Sequence, residues 1–439
     1  MGRWRTISIA LVVTMGGFTF GFDSGIIATT FGHQAFRIYM YGPSQASTSL
    51  DDAIVSCYNA GQAIGAPTVG YLADRFSRKY TIAFASLLAI LGAALQAGAV
   101  HVGMMIAGRL IAGLACGQFI AVVHTDPCSL HPHVCSILCT ILTAMAKGRH
   151  EEARRVLNLL NDTEGETFIE QELLQIQQQI ELEASAETSS WAYAIKELFS
   201  MRYLHRTLMA AFIVSQSQLS GASVIQNFQN TFHAIVGITG RQSLLVSGIY
   251  GFMGVIGTII YLGIVADRWP RARTLWTGSL ALSVSIAICM ALSATYGQAG
   301  ESNMAGARAS IAFIFIYSAT FAIFFNAMIW VVPSELFPTI LRSKGMAFAV
   351  SSKSVVAIVL SQITPLALAE VSWRFYALFI ACNTAAAVLY FFFLPETGGK
   401  TLEAIAELFG DAIAVDMHAN IQKLDATSVI HAEGSELRK

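Results

Sequence analysis

Apolar residues in this chain gather in long uninterrupted runs, and polar residues collect between them. Runs long enough to cross the hydrocarbon core of a bilayer as helices, roughly 20 residues each, fall at about 7–30, 52–73, 80–100, 103–123, 207–228, 245–266, 274–295, 308–332, 345–369 and 373–394. The pattern therefore predicts an all-α polytopic membrane bundle of about ten spans, four before and six after a polar stretch at about 147–206. Within that stretch, Phe168-Ile-Glu-Gln-Glu-Leu-Leu-Gln-Ile-Gln-Gln-Gln-Ile has apolar residues at helical spacing, which predicts short amphipathic helices in water. Val134 to Ala146 is semi-apolar but too short to cross. The opening run is too long and glycine-rich for a cleaved signal peptide and is read as a retained helix.

Composition sharpens the membrane reading. Of 439 residues, 54% are hydrophobic and 13% charged, where soluble domains carry roughly 25% charged residues. Mean hydropathy is +0.57. A net charge of −1 without a like-charge tract argues against nucleic acid as a partner. Cys57, Cys116, Cys128, Cys135, Cys139, Cys289 and Cys382 form no regular disulfide framework. Arginines and lysines fall in alternate loops: Arg3 and Arg5; Arg75, Arg78 and Lys79; Arg149, Arg154 and Arg155; Arg268, Arg271 and Arg273; Arg342 and Lys344. By the positive-inside rule these loops are cytoplasmic, and both termini lie with them. The sequon at Asn161 then lies in the cytoplasm, so a glycan on it would overturn this orientation.

Two of the basic loops share a pattern. Gly70-Tyr-Leu-Ala-Asp74-Arg75-Phe-Ser-Arg78-Lys79 follows the second span, and Gly263-Ile-Val-Ala-Asp267-Arg268-Trp-Pro-Arg271-Ala-Arg273 follows the sixth. An internal repeat in a polytopic chain marks a transporter built from two related bundles. Ion pairs at such helix ends can break and re-form as the bundles rock.

These motifs, with Gly16 to Gly25, Ala107-Gly108-Arg109, Trp330-Val-Val-Pro333-Ser334-Glu335-Leu336-Phe337-Pro338, Arg342-Ser-Lys344-Gly345 and Pro395-Glu396-Thr397-Gly398-Gly399-Lys400, resemble the sugar porter family of the major facilitator superfamily, most closely its fungal members. Lys147-Gly148-Arg149 and the residues after it resemble the start of the family's central cytoplasmic helices. The resemblance covers roughly 7–123 and 147–410. It implies a multi-pass secondary transporter in the plasma membrane, working by alternating access on a sugar, polyol or sugar acid, with protons as a coupling partner. It implies no enzyme activity and no cofactor. The implied organisation is an amino-terminal half (1–123), a bridge (124–146), cytoplasmic helices (147–206), a carboxy-terminal six-helix half (207–394) and a cytoplasmic tail (395–439).

The family has two further spans and two proline-containing motifs where the bridge stands. His124, His131, His133, Cys128, Cys135 and Cys139 in the bridge match no standard zinc spacing, so no metal site is expected. The bridge reads as a degenerate, unspliced or frame-shifted segment. Losing two spans would expose polar cavity groups to lipid. The alternative to a working transporter is thus a non-transporting pseudotransporter, a receptor-like protein or a faulty gene model.

The resemblance assigns Asp23 as the proton site and Arg109 as its tuner. The competing reading is a structural ion pair in a facilitator. It places substrate contacts at Ser217, Gln218, Ser223 and Asn227 in the fifth span, where only Gln218 keeps the family's residue, and at Trp330. Asn326-Ala327-Met328-Ile329 lacks the family's Gly and Pro, which removes the sequence signal for a helix break. Gly70, Asp74, Arg75, Arg78, Asp267, Arg268, Arg271, Glu335, Arg342 and Glu396 form the gating and loop motifs. Lys353 is the sharpest departure, standing where the family has a sugar-binding asparagine. A lysine about 12 Å from the inner end of its helix either snorkels to the interface or offers a cation to an anionic polyol.

Overall fold

The computed structural model describes residues 34–42, 48–76, 78–124, 191–227, 241–266, 268–296 and 304–398, with Gly21, Gly25, Thr30 and Phe409. The chain forms two compact units, Met1–Glu396 and Thr397–Lys439, and only Thr397, Gly398 and Phe409 of the second are described. All regular structure among the described residues is helical. The amino-terminal part comprises α1 (Gln34–Tyr41), α2 (Thr48–Phe76), α3 (Arg78–Ala97) and α4 (Val102–His124). After α5 (Trp191–Leu198) come α6 (Leu204–Leu219), α7 (Ala222–Asn227), α8 (Arg241–Ile260), α9 (Arg271–Tyr296) and α10 (Met304–Phe324). The chain continues through α11 (Met328–Leu336), α12 (Thr339–Val371) and α13 (Tyr376–Phe393).

Eight spans among the described residues are long and apolar enough to cross a bilayer, each close to a run expected from the sequence. The expected span 52–73 is the 29-residue α2, which carries Asp51, Asp52, Asn59 and Gln62. The first expected span lies outside the described residues apart from Gly21, Gly25 and Thr30, and so do residues 125–190, with the bridge and most of the amphipathic segment.

Lipid offers no partner to a bare polar group, so helices there must satisfy their own. Hydroxyls accordingly donate back into their helices: Ser217 to the Val214 carbonyl at 2.7 Å, Ser334 to Val331 at 2.7 Å and Thr364 to Leu360 at 2.6 Å. Between helices, packing replaces the hydrophobic drive, and small residues let backbones approach. Gly61 and Gly65 of α2 face Leu110 and Leu114 of α4, and Gly113 and Gly117 return the contact to Tyr58 and Gln62. A Cβ at any of the four would overlap the opposite backbone.

α2 is sandwiched between α4 and α12, so it joins the amino-terminal helices to those that follow α5. The seam is hydrogen-bonded: away from the basic loops, Ser56 and Ser361 hydroxyls lie 2.8 Å apart and the Gln362 amide donates to Ser56 at 2.6 Å, and midway along the seam Ser351 donates to the Ala63 carbonyl at 3.0 Å. Further along it, Ala66, Val69, Ile120, Ala121, Val122 and Val350 form an apolar cluster against which Trp330 packs.

Candidate functional site

Lys353 lies fourteen residues into α12, about 21 Å from its start. The helix begins earlier than the sequence pattern suggested, which puts the lysine deeper than the expected 12 Å. Its side chain is 5% exposed, and its Nζ stands 5.6 Å from the centre of the Trp330 ring. It is packed inside the protein rather than extended to an interface. Trp330 itself, on α11, bears on α2, α4 and α12 through the seam cluster. A cation over an indole face at the junction of the halves suits recognition of a polar or anionic solute.

The remaining expected substrate residues lie around a helix break. α6 stops at Leu219, and Gly221 with φ +93° turns the chain into α7. Only glycine takes this conformation readily, and a Cβ here would meet the Phe379 ring at 3.0 Å. Ser217 and Gln218 are buried just before the break and Ser223 is half-buried just after it. Ser217 spends its proton on its own helix. Asn227 ends α7, and its side chain lies outside the described residues.

Residues that sequence reasoning passed over hold this break. The Gln216 amide donates to the Asn383 oxygen at 3.1 Å, and the Asn383 amide donates to the carbonyls of Ser220 at 3.2 Å and Phe379 at 2.8 Å. The Tyr317 hydroxyl donates to the same Ser220 carbonyl at 2.9 Å. Two helices, α10 and α13, thus satisfy the backbone carbonyl that the break releases, and Gln216 of α6 braces the Asn383 amide that does so. The available signal was Asn383, a lone amide in the apolar stretch of α13. A second break, at Phe325–Ala327, separates α10 from α11 although Gly and Pro are missing there. Its marker is the Asn326 N–H, which donates to Phe321 five residues back.

Arg109 is 1% exposed and stacks over the Tyr58 ring at 4.9 Å. Asp23 lies outside the described residues. Away from the basic loops, Arg37 pairs with Asp51 at 3.1 Å, and the Tyr41 hydroxyl donates to the same carboxylate. Burial first, and then that hydrogen bond, hold the Tyr41 phenol above its ordinary range.

At the basic-loop end, three expected motif residues meet. Arg271 forms an ion pair with Glu335 of α11. Glu396, after α13, accepts from the backbone N–H groups of Arg271 at 2.7 Å and Ala272 at 3.1 Å. It caps the start of α9, where free N–H groups and the helix dipole favour an anion. Arg342 is 2% exposed with its guanidinium 3.5 Å from the Phe337 carbonyl. Gly70 is buried in α2, and Arg268 is exposed. Asp74, Arg75 and Arg78 occupy the facing ends of α2 and α3, their side chains outside the described residues, as is Asp267. The described residues hold no cluster of three metal-ligating side chains.

Comparison with known proteins bears on this arrangement. A family model described as "Sugar (and other) transporter" matches residues 9–125 and 142–409. An MFS-type transporter, criB of Aspergillus cristatus, is 27% identical, the alignment covering 94% of this chain and 95% of that protein. A probable quinate permease of Aspergillus niger is 25% identical over 100% of this chain and 93% of its own length. In structure, the proton:xylose symporter XylE bound to 6-bromo-6-deoxy-D-glucose superposes with a TM-score of 0.74 at 19% identity, covering 93% of this chain and 100% of that one.

Proposed function

The chain belongs to the sugar (and other) transporter family, and from that premise we propose that it carries sugars or related polyhydroxylated compounds across a membrane by proton-coupled alternating access of its two helical halves. The observation that carries the reading is the Lys353–Trp330 pair, a buried lysine over a partly buried indole, set against the seam with α2 and α4. An indole face receives the C–H face of a sugar ring, and an ammonium donates three hydrogen bonds to hydroxyl or carboxylate oxygens. The cation favours an anionic polyol such as a sugar acid over a plain hexose. The Aspergillus niger relative named as a probable quinate permease supports that choice. The hydrogen bonds of Ser56 with Ser361 and Gln362 close the seam at the end away from the basic loops, and they part when that end opens.

Asp23 takes and releases the coupling proton in this scheme, and Arg109 tunes it. The Arg271–Glu335 pair and Glu396 act as a cytoplasmic latch, with Asp74, Arg75, Arg78, Asp267 and Arg268 as its counterparts. The plasma membrane is the proposed location, with both termini in the cytoplasm.

Uptake into proteoliposomes of labelled D-glucose, D-gluconate and quinate, with and without an inward proton gradient, tests the reading. Gradient-driven accumulation of one solute is expected. Asp23→Asn should abolish accumulation while leaving counterflow exchange intact. Equal loss of both in Asp23→Asn would remove the coupling role. The second reading, a non-transporting product, draws on the interruption of the family match between residues 125 and 142. Absence of uptake of all three solutes by correctly inserted protein would favour that reading.

A further inference from the structure

Asn326 is exposed, and it sits in the middle of a membrane span. The span Ala309–Leu336 has its inner end ten residues beyond Asn326, about 15 Å away. The amide is presented by the break between α10 and α11. Its Nδ2 donates to the Thr258 hydroxyl of α8 at 3.4 Å, and that hydroxyl donates to the Gly254 carbonyl at 3.0 Å. Thr258 lies at similar depth, seven residues or about 10 Å from the end of the span Leu245–Val265. The Thr258 hydroxyl, with its proton committed to Gly254, orients the amide and leaves the Asn326 Oδ1 and one N–H outward.

A primary amide left open at this depth is costly against hydrocarbon, where no water satisfies it. The cost disappears if the amide faces the aqueous transport path. An outward carbonyl and N–H together accept from one hydroxyl and donate to its neighbour, which is the pattern a vicinal diol completes. Asn326 also precedes Trp330 by four residues on the same span, so the break that presents the amide lies next to the indole in sequence. We propose that Asn326, held by Thr258, is a hydroxyl-recognising residue of the transport path, contacting the polyol part of a solute whose other end meets Trp330 and Lys353. This rests on the transporter reading.

The test has two arms, so that failure of either idea is visible separately. In the first, Asn326→Cys and a control, Leu87→Cys on α3, whose apolar residue is 66% exposed, are treated in membranes with a charged, membrane-impermeant thiol reagent. Labelling above the wild-type background at 326 but not at 87 is expected. An unlabelled 326 in protein that reaches the membrane overturns the proposal whether or not the chain transports. In the second arm, KM for D-glucose, D-gluconate or quinate, whichever the wild type takes up, is compared with KM for its mono-deoxy analogues. Asn326→Ala should raise KM for the parent solute about tenfold, the worth of one hydrogen bond of ordinary strength, with kcat changed less. It should also erase the wild type's preference for the parent over one analogue, and Thr258→Val should do the same more weakly. An unchanged KM and preference in Asn326→Ala would refute the recognition role, whereas absence of wild-type uptake would count against the transporter reading alone.

Discussion

A single ammonium at Lys353 carries more of the functional argument than any other side chain. Replacing it with asparagine keeps a hydrogen-bonding group and removes the charge. Charge-assisted hydrogen bonds contribute about 1.5–3 kcal/mol, so Lys353→Asn should raise KM for a carboxylate-bearing solute by at least about tenfold and leave a neutral hexose nearly unaffected. Equal effects on both solutes would show that the lysine is structural. This position was legible in the sequence because a charge in an apolar run stands out by itself. Arg271, Glu335 and Glu396 were legible too, each inside a motif, although their meeting at one point was not. Gln216, Tyr317 and Asn383 escaped because their meaning lies in contacts across about 100 to 170 positions of chain, which no local pattern encodes.

At the scale of elements, hydropathy alone located the eight described spans, since twenty apolar residues in succession have few other fates. The breaks inside them were less predictable. Gly221 signals one of them, and its φ of +93° together with the Phe379 ring disfavours any side chain there. Gly221→Ala should destabilise the protein by about 1–2 kcal/mol from the backbone term alone, with more from the ring contact, read as a lower thermal unfolding midpoint in detergent. The break at 325–327 has no glycine or proline to mark it in the sequence, because it rests on a backbone bond five residues back and on the Asn326 amide's bond to Thr258 of α8. A different interaction holds the start of α9. Glu396→Gln, which removes the negative charge from two backbone N–H groups, should cost about 1 kcal/mol, and full retention of the unfolding midpoint would argue against the cap.

At the scale of the whole molecule, two halves meet along α2 and α12, and the polar bonds between them involve side-chain atoms that a moving interface can release. Gly113→Val, which wedges α4 from α2, should lower both stability and transport, because α2 must stay seated on its own half while it parts from the other. The internal repeat is what predicts a two-half plan from the sequence alone. The seam was not readable, since serines and a glutamine in apolar helices look like ordinary back-bonded hydroxyls and amides. Its bonds give the most direct test of alternating access. Ser56 and Ser361 present their hydroxyl oxygens 2.8 Å apart across the halves, so the double variant Ser56→Cys, Ser361→Cys should form a disulfide on oxidation. Solute uptake by proteoliposomes carrying this variant should proceed when it is reduced, stop when it is oxidised and return on re-reduction. Uptake that is equal in the oxidised and reduced states, with the cross-link confirmed, would contradict the account.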